Sequence, residues 1–160
     1  MDRCETKLVE ILRQRQLQMT TVESCTGGMV AAAVTSVPGS SEVFQRGFVT
    51  YCDRAKQELV GVRQTTLEQY TAVSAQTAQE MAEGGARAAL ADCCVSVTGY
   101  AGPDSGSGEP VGLVYIGCFC CGRVEVEEHH FIGERQEIRE QAAGRAIALL
   151  LEMLTESEKN

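Results

Sequence analysis

Residues 19–37 read MTTVESCTGGMVAAAVTSV, in which a strand pattern changes into a helix pattern across a turn. Residues 19–23 contain several β-branched side chains and predict a short strand. Two glycines mark a turn, and the small apolar side chains of residues 29–37 then predict a helix that packs closely against a neighbour. A strand, a tight turn and a helix in this order are typical of α/β proteins.

Further helices are predicted on both sides of this stretch. Apolar residues at helical spacing indicate a first helix over residues 3–17. Asp53 is expected to cap a short helix over residues 54–60, and Ser74 is expected to begin a longer one. The remaining predicted helices span residues 65–70, 74–91 and 134–154.

Four more strands are predicted, over residues 46–52, 93–98, 111–121 and 124–131. The last two are joined at Gly122-Arg123 and are expected to form a hairpin with a two-residue turn. Alternating helices and strands with one hairpin predict an α/β fold, a three-layer α/β/α sandwich on a mixed, mostly parallel sheet of about five strands. The length of 160 residues fits a single domain over residues 1–160.

Composition restricts the possible functions. The formal net charge of −8 argues against general nucleic-acid binding, which needs clustered Lys and Arg. It leaves room for a small anionic ligand, because backbone N–H groups and a few arginines can bind a phosphate on an acidic protein. The longest apolar stretch is far too short to span a membrane, and residues 1–20 are too charged for a secretory signal. We therefore expect a cytoplasmic protein without membrane contact.

The eight cysteines need a separate explanation. Most lie in apolar runs, which favours reduced core thiols over a structural zinc site. Neighbours on a strand point to opposite faces, so Cys93-Cys94 and Cys120-Cys121 are not expected to bind a metal as pairs. The same reasoning argues against a metal shared by the adjacent histidines, residues 129 and 130.

Three loops that follow predicted strands could carry chemistry, since ligands of open α/β sheets gather at the carboxyl ends of strands. In the first, Ser24 is a candidate nucleophile, and the N–H groups of Thr26, Gly27 and Gly28 could face an anion or an oxyanion. The alternative is that Ser24 or Thr26 only caps the helix. Cys25 is an alternative nucleophile, but no histidine lies nearby in sequence to activate it.

The second loop contains Thr50, Tyr51 and Lys56. A lysine in the first turn of a helix faces the positive end of the helix dipole, which lowers its pKa, and burial would lower it further. A neutral lysine could deprotonate a serine, as in other Ser–Lys enzymes. The alternative is an exposed lysine on a solvated helix.

The third loop covers residues 99–110 and is rich in glycine, which suits close approach of the backbone to a phosphate. The alternative is an ordinary flexible crossover. The loop contains neither a Walker A motif nor Gly-x-Gly-x-x-Gly, so ATP hydrolysis and dinucleotide binding of the usual kinds are disfavoured.

At these loops the sequence resembles the stand-alone form of the C-terminal domain of the competence/damage-inducible protein CinA, the nicotinamide mononucleotide amidohydrolases. The resemblance covers nearly the whole chain. It is carried by TVESCTGG at residues 21–28, GFVTY at 47–51, Lys56, GV at 61–62, AVS at 72–74, GYAGPD at 99–104, PVG at 110–112, Arg135 and Arg139.

The resemblance implies a three-layer α/β/α fold and conversion of nicotinamide mononucleotide and water to nicotinic acid mononucleotide and ammonia, a step in pyridine nucleotide recycling. It maps the catalytic residues onto Ser24, Tyr51 and Lys56, and it implies a homodimer with no metal and no cofactor. The residues expected to contact the nucleotide are Thr26, Gly27, Gly28, Thr50, Gly99, Ala101, Gly102 and Arg139.

Two residues depart from the family pattern in the third loop. Ser105 stands where glycine is usual, and Glu109 stands where lysine often precedes Pro110. Both departures bear on affinity or substrate preference. The alternatives that remain open are a nucleotide-binding module without turnover, an interaction protein, and an amidase for another small amide.

Overall fold

The computed structural model describes residues 3–159 and confirms the predicted α/β fold. In chain order the elements are α1 (Cys4–Arg15), β1 (Met19–Glu23), α2 (Met29–Thr35), β2 (Phe48–Val49), α3 (Asp53–Val60), α4 (Gln64–Tyr70), α5 (Ala75–Ala89), β3 (Cys93–Gly99), β4 (Leu113–Cys120), β5 (Arg123–His130) and α6 (Arg135–Glu156), with short 3₁₀ turns at Ser40–Glu42 and Ser157–Lys159.

One five-stranded sheet in the order β2-β1-β3-β4-β5 forms the middle layer. Strand β1 pairs in parallel with β2 and with β3. The pairs β3–β4 and β4–β5 are antiparallel, so the sheet is mixed, as predicted, but its pairs are divided evenly rather than mostly parallel. The hairpin accounts for this difference, because it adds two antiparallel pairs at one edge.

Helices cover both faces of the sheet. On one face, a large apolar cluster joins the inner sides of α1, α2 and α6 to alternate residues of β1, β3 and β4. On the other, α3, α4 and α5 close a smaller cluster over Val22 and Cys94. Helix α5 approaches α3 very closely, since a Cβ atom at Gly84 would lie 1.8 Å from the carbonyl oxygen of Val60. No helix among residues 3–159 is long and apolar enough to cross a membrane.

Several predicted boundaries are corrected. The strand expected over residues 46–52 is reduced to Phe48–Val49 at the sheet edge, partly because the carbonyl of Thr50 accepts a hydrogen bond from Lys56 Nζ instead of a strand neighbour. Cys52, not Asp53, is the N-cap of α3, and Asp53 is its first residue. The prediction for Ser74 is confirmed, because its hydroxyl accepts the N–H of Thr77 at the start of α5.

The hairpin turn is also shifted by one residue. Cys120 pairs with Arg123, so the two turn residues are Cys121 and Gly122 rather than Gly122 and Arg123. Both have positive φ, +50° and +90°, as the type I′ turn of a tight hairpin requires. Glycine at the second position tolerates this conformation without strain.

Candidate active site

The carboxyl ends of β1, β2 and β3 open onto one pocket of about 250 Å³. The three loops singled out from the sequence therefore meet at one place, as the rule for open α/β sheets predicts. The lining residues are Ser24, Cys25, Tyr51, Asp53, Lys56, Ala72, Val73, Thr98, Gly99, Tyr100, Ala101, Gly102, Asp104 and Arg135.

Ser24 and Lys56 form the polar centre of this pocket. The Nζ atom of Lys56 lies 3.2 Å from Ser24 Oγ and donates a 2.8 Å hydrogen bond to the carbonyl oxygen of Thr50. Lys56 is 1 % exposed, so the alternative of a solvated surface lysine is wrong. Its Nζ is thus held in the interior between Ser24 Oγ and the Thr50 carbonyl.

Burial lowers the pKa of Lys56 from its ordinary value, because a buried site penalises the ammonium form. The charge of Asp53 acts in the opposite direction and raises the pKa. Among residues 3–159, no carboxylate lies within ion-pair distance of Lys56 Nζ. A buried lysine without an ion pair favours the neutral amine, which can accept a proton from a hydroxyl.

The loop that carries Ser24 is fixed from two sides. The carboxylate of Glu23, itself 1 % exposed, accepts the N–H groups of Val30 at 2.8 Å and Ala31 at 3.1 Å, so it satisfies the first turn of α2. The Ser24 N–H donates to Val97 O at 2.9 Å. The N-cap of α2 is Gly28, without a side-chain cap, so neither Ser24 nor Thr26 caps this helix.

The predicted anion-facing N–H groups of this loop are only partly available. The N–H of Gly27 donates to the carbonyl of Ser24 at 3.0 Å, so it is used within the turn. Thr26 is fully buried, and neither it nor Gly27 or Gly28 lines the pocket. The three residues therefore lie outside the pocket lining, and their contact with a ligand stays a prediction.

Arg135, not Arg139, lines the pocket. Arg139, expected to contact the nucleotide, donates from Nε to Cys25 O at 3.0 Å and from an Nη to Thr26 O at 3.3 Å, outside the pocket lining. It holds the first loop in place. Arg135 lines the pocket and was missed as a site residue, although the family resemblance includes it.

The guanidinium of Arg135 joins the second and third loops. It donates to the carbonyl oxygen of Gly102 and, at 3.1 Å, to the hydroxyl oxygen of Tyr51. Tyr51 is 58 % exposed, and its hydroxyl contacts neither Ser24 nor Lys56 among the described residues. Tyr51 therefore lies at the mouth of the pocket, beside the cation and not between the serine and the lysine.

The third loop contributes Gly99, Ala101 and Gly102 to the pocket wall, and their contact with the nucleotide stays a prediction. Gly102 has φ +93°, and a Cβ atom there would lie 2.7 Å from Val111. Glycine is therefore required for the loop to pass this point. The two departures from the family pattern, Ser105 and Glu109, lie outside the pocket lining.

Thr50 is fully buried behind the pocket, and its hydroxyl has no hydrogen-bond partner among the described residues. Cys25 lines the pocket, but burial raises the pKa of its thiol to about 11. A thiol with that pKa stays protonated at neutral pH and is a poor nucleophile. Both histidines lie on β5, two strands away from β3, so neither is placed to activate Cys25.

Comparison with known proteins adds to this geometry. A model of the CinA C-terminal domain matches residues 1–154. A nicotinamide-nucleotide amidohydrolase PncC from Enterobacter agglomerans is 52 % identical over 134 residues, which are 82 % of each chain. A putative competence-damage inducible protein from Clostridium novyi is 44 % identical over 147 residues; the match covers 91 % of this chain but 36 % of that longer protein.

Solved structures of the same superfamily are also close. A CinA superfamily protein from Klebsiella pneumoniae superimposes with a TM-score of 0.92 at 36 % identity, covering 96 % of both chains. One from Escherichia coli gives a TM-score of 0.91 at 37 % identity, covering 94 % of this chain and 88 % of that one.

Proposed function

Because the chain belongs to the CinA C-terminal domain family, we propose that it hydrolyses the carboxamide of nicotinamide mononucleotide to nicotinic acid mononucleotide and ammonia. The observation that carries the proposal is the contact between Ser24 Oγ and the buried Nζ of Lys56 in the pocket. A module that only binds a nucleotide has no need for a buried lysine beside a serine hydroxyl.

The first half of the proposed reaction makes an acyl-enzyme. Neutral Lys56 accepts the proton of the Ser24 hydroxyl, and Oγ attacks the carboxamide carbon. The proton then passes from Lys56 to the amide nitrogen as the C–N bond breaks, and ammonia leaves. Lys56 makes the direct contact with Ser24, so this route needs no relay through Tyr51.

The second half releases the acid. Lys56 accepts a proton from water, the hydroxide attacks the nicotinoyl ester carbon, and the proton returns to Ser24 Oγ as the ester bond breaks. Cys25 and Ala101 line the pocket, and their backbone N–H groups are the proposed donors to the oxyanion in both halves. Nucleophile and base both come from the chain.

The charges around the pocket match the two ends of the substrate. Asp53 and Asp104 line the pocket and suit the cationic pyridinium ring. Arg135 is the proposed phosphate ligand, because a guanidinium can bind two phosphate oxygens at once. Arg139 is assigned to holding the loop of Ser24.

The proposal is tested by adding nicotinamide mononucleotide to the purified chain and measuring ammonia and nicotinic acid mononucleotide. We expect equal amounts of both products, with and without EDTA. Products that disappear with EDTA would contradict the metal-free route. A folded chain that is stabilised by the nucleotide but releases no ammonia would support binding without turnover.

We also propose that the chain forms a homodimer in the cytoplasm, as the family resemblance implies. Light scattering of the purified chain measures the mass in solution. A mass of one chain at working concentration would contradict the dimer.

A further inference from the structure

Three thiols meet at the end of the sheet opposite the pocket. Cys93 begins β3, Cys120 ends β4, and Cys121 is the first residue of the hairpin turn. Their three Sγ atoms lie within 4.8 Å of one another. Nothing in the proposed amidohydrolase reaction uses this cluster, and the inference drawn from it is independent of that function.

The strand register brings the first two thiols together. Cys93 lies directly opposite Cys120 in the antiparallel pair, and the N–H of Cys121 donates to Asp92 O at 2.9 Å. The Cys93–Cys120 pair is therefore of the type without backbone hydrogen bonds, in which facing side chains are closest. The two Sγ atoms are 3.8 Å apart.

The backbone of the turn brings in the third thiol. Cys121 has φ +50°, so side-chain alternation along the strand ends at Cys120. The expectation that Cys120 and Cys121 point to opposite faces is thus wrong, because it holds only for extended backbone. Glycine, asparagine or aspartate is usual at such a turn position, so a cysteine there is unusual.

We propose that Cys93, Cys120 and Cys121 bind one thiophilic d¹⁰ metal ion, represented by Zn²⁺, through three thiolates. Tetrahedral zinc with Zn–S bonds of about 2.3 Å places its sulfur ligands roughly 3.8 Å from each other. Cys93 and Cys120 already have this separation. Binding releases three protons as three thiols become ligands, and water takes the fourth position.

Access favours such a site, and its net charge is small. Cys93 and Cys120 are buried, whereas Cys121 is exposed, so an ion can enter from the turn. Three thiolates and one Zn²⁺ carry a net charge of −1. The guanidinium groups of Arg15 and Arg123 lie near Cys120, but both already form ion pairs with glutamates, so the proposed site does not depend on them.

The competing use of the same atoms is a Cys93–Cys120 disulfide. Its sulfur atoms would have to move from 3.8 Å to a bond of about 2.05 Å, and an oxidant would have to remove two electrons. A disulfide would also leave Cys121 without a role. Metal binding uses all three thiols and leaves the Cys93–Cys120 distance unchanged.

The test titrates the fully reduced, metal-free chain with Zn²⁺ against a chromophoric chelator, and with Co²⁺ to record thiolate-to-metal charge transfer. We expect one ion per chain. Cys121→Asn removes one thiol and keeps a residue that tolerates positive φ. It should weaken Zn²⁺ binding at least about 10-fold, since even changes beyond the ligands themselves cost that much.

Cys4→Ser is the matched control, because Cys4 is also an exposed thiol but lies at the far end of α1. It should bind Zn²⁺ as the native chain does. Circular dichroism checks that both variants are folded. The proposal is overturned if the reduced native chain binds no Zn²⁺, if Cys121→Asn binds as tightly as the native chain, or if the thiols are found only as a disulfide whose reduction restores no metal binding.

Discussion

Lys56 Nζ lies 3.2 Å from Ser24 Oγ, although the two residues are 32 positions apart and follow different strands. The contact exists because β1 and β2 are parallel neighbours, so that the loops that follow them emerge side by side. Lys56 lies in the first turn of α3, and its side chain is buried against the loop of Ser24. In the proposed reaction, this contact lets the buried amine deprotonate the Ser24 hydroxyl.

The acid limb of the pH–rate profile is expected to report Lys56. Burial lowers the pKa of Lys56 below its ordinary 10.5, and only the neutral amine can accept the Ser24 proton. The value of kcat/KM should therefore rise with pH through that lowered pKa. Lys56→Arg keeps the charge but cannot be deprotonated, so it should lose about 10²- to 10⁴-fold in kcat. An arginine variant with native turnover and an unchanged acid limb would remove Lys56 from the base role.

Arg135 is expected to discriminate nucleotide from nucleoside. Arg135→Gln should raise KM for nicotinamide mononucleotide about 10-fold or more, because a charge-assisted hydrogen bond to phosphate is lost. It should impair the hydrolysis of nicotinamide riboside, which lacks the phosphate, much less, and only through the lost contacts with Tyr51 and Gly102. Arg139→Gln is the control: it loosens the loop of Ser24 and should impair both substrates equally. Equal losses on both substrates in Arg135→Gln would contradict the phosphate assignment.

Replacement of Gly84, where α5 packs closely against α3, is expected to destabilise the fold. A Cβ atom there would collide with Val60 O, so Gly84→Ala should lower the free energy of unfolding by about 1–3 kcal/mol. It should also reduce activity, because α3 carries Lys56. Gly144 lies in α6 with nothing within 4 Å of its added Cβ, and Gly144→Ala should instead stabilise by about 0.5–1 kcal/mol. Urea unfolding compares the two, and equal effects would show that the α3–α5 approach is not tight.

Glu23 is expected to stabilise the loop of the nucleophile. Glu23→Gln leaves one acceptor oxygen for the N–H groups of Val30 and Ala31, so we expect a loss of about 1–3 kcal/mol in the free energy of unfolding. Glu42→Gln removes a carboxylate whose ion pair with Arg13 is exposed, and it should cost less than about 1 kcal/mol. Chemical denaturation of both variants measures the difference. A Glu23→Gln variant as stable as the native chain would show that these two hydrogen bonds do not contribute to stability.

Side-chain patterns in the sequence predicted those elements that are determined by neighbouring residues. The strand–turn–helix of residues 19–37 and the start of α5 at Ser74 follow from side-chain spacing and capping chemistry, and both are present. The extent of β2 could not be predicted, because it depends on where the Thr50 carbonyl finds its partner, 6 residues further along the chain. The turn at Cys121 was misplaced because cysteine is not a usual residue at positive φ.

The site was only partly predictable for a similar reason. The family resemblance, rather than spacing, paired Ser24 with Lys56. Arg135 and Arg139 are four residues apart and lie on one side of α6, so the sequence alone does not tell which one reaches the pocket. The role of the Glu23 carboxylate could not be predicted from its strand pattern. Its partners in α2 depend on how that helix packs on the sheet.

The most direct test of the central claim compares ammonia release from nicotinamide mononucleotide by the native chain, Ser24→Ala and Cys25→Ala. Removing the attacking oxygen should lower kcat by several powers of ten while thermal unfolding stays near native. Cys25→Ala removes the neighbouring thiol and should keep at least about a tenth of the activity, since a protonated thiol takes no part in the attack. Near-native turnover by Ser24→Ala, or loss of turnover confined to Cys25→Ala, would contradict the account.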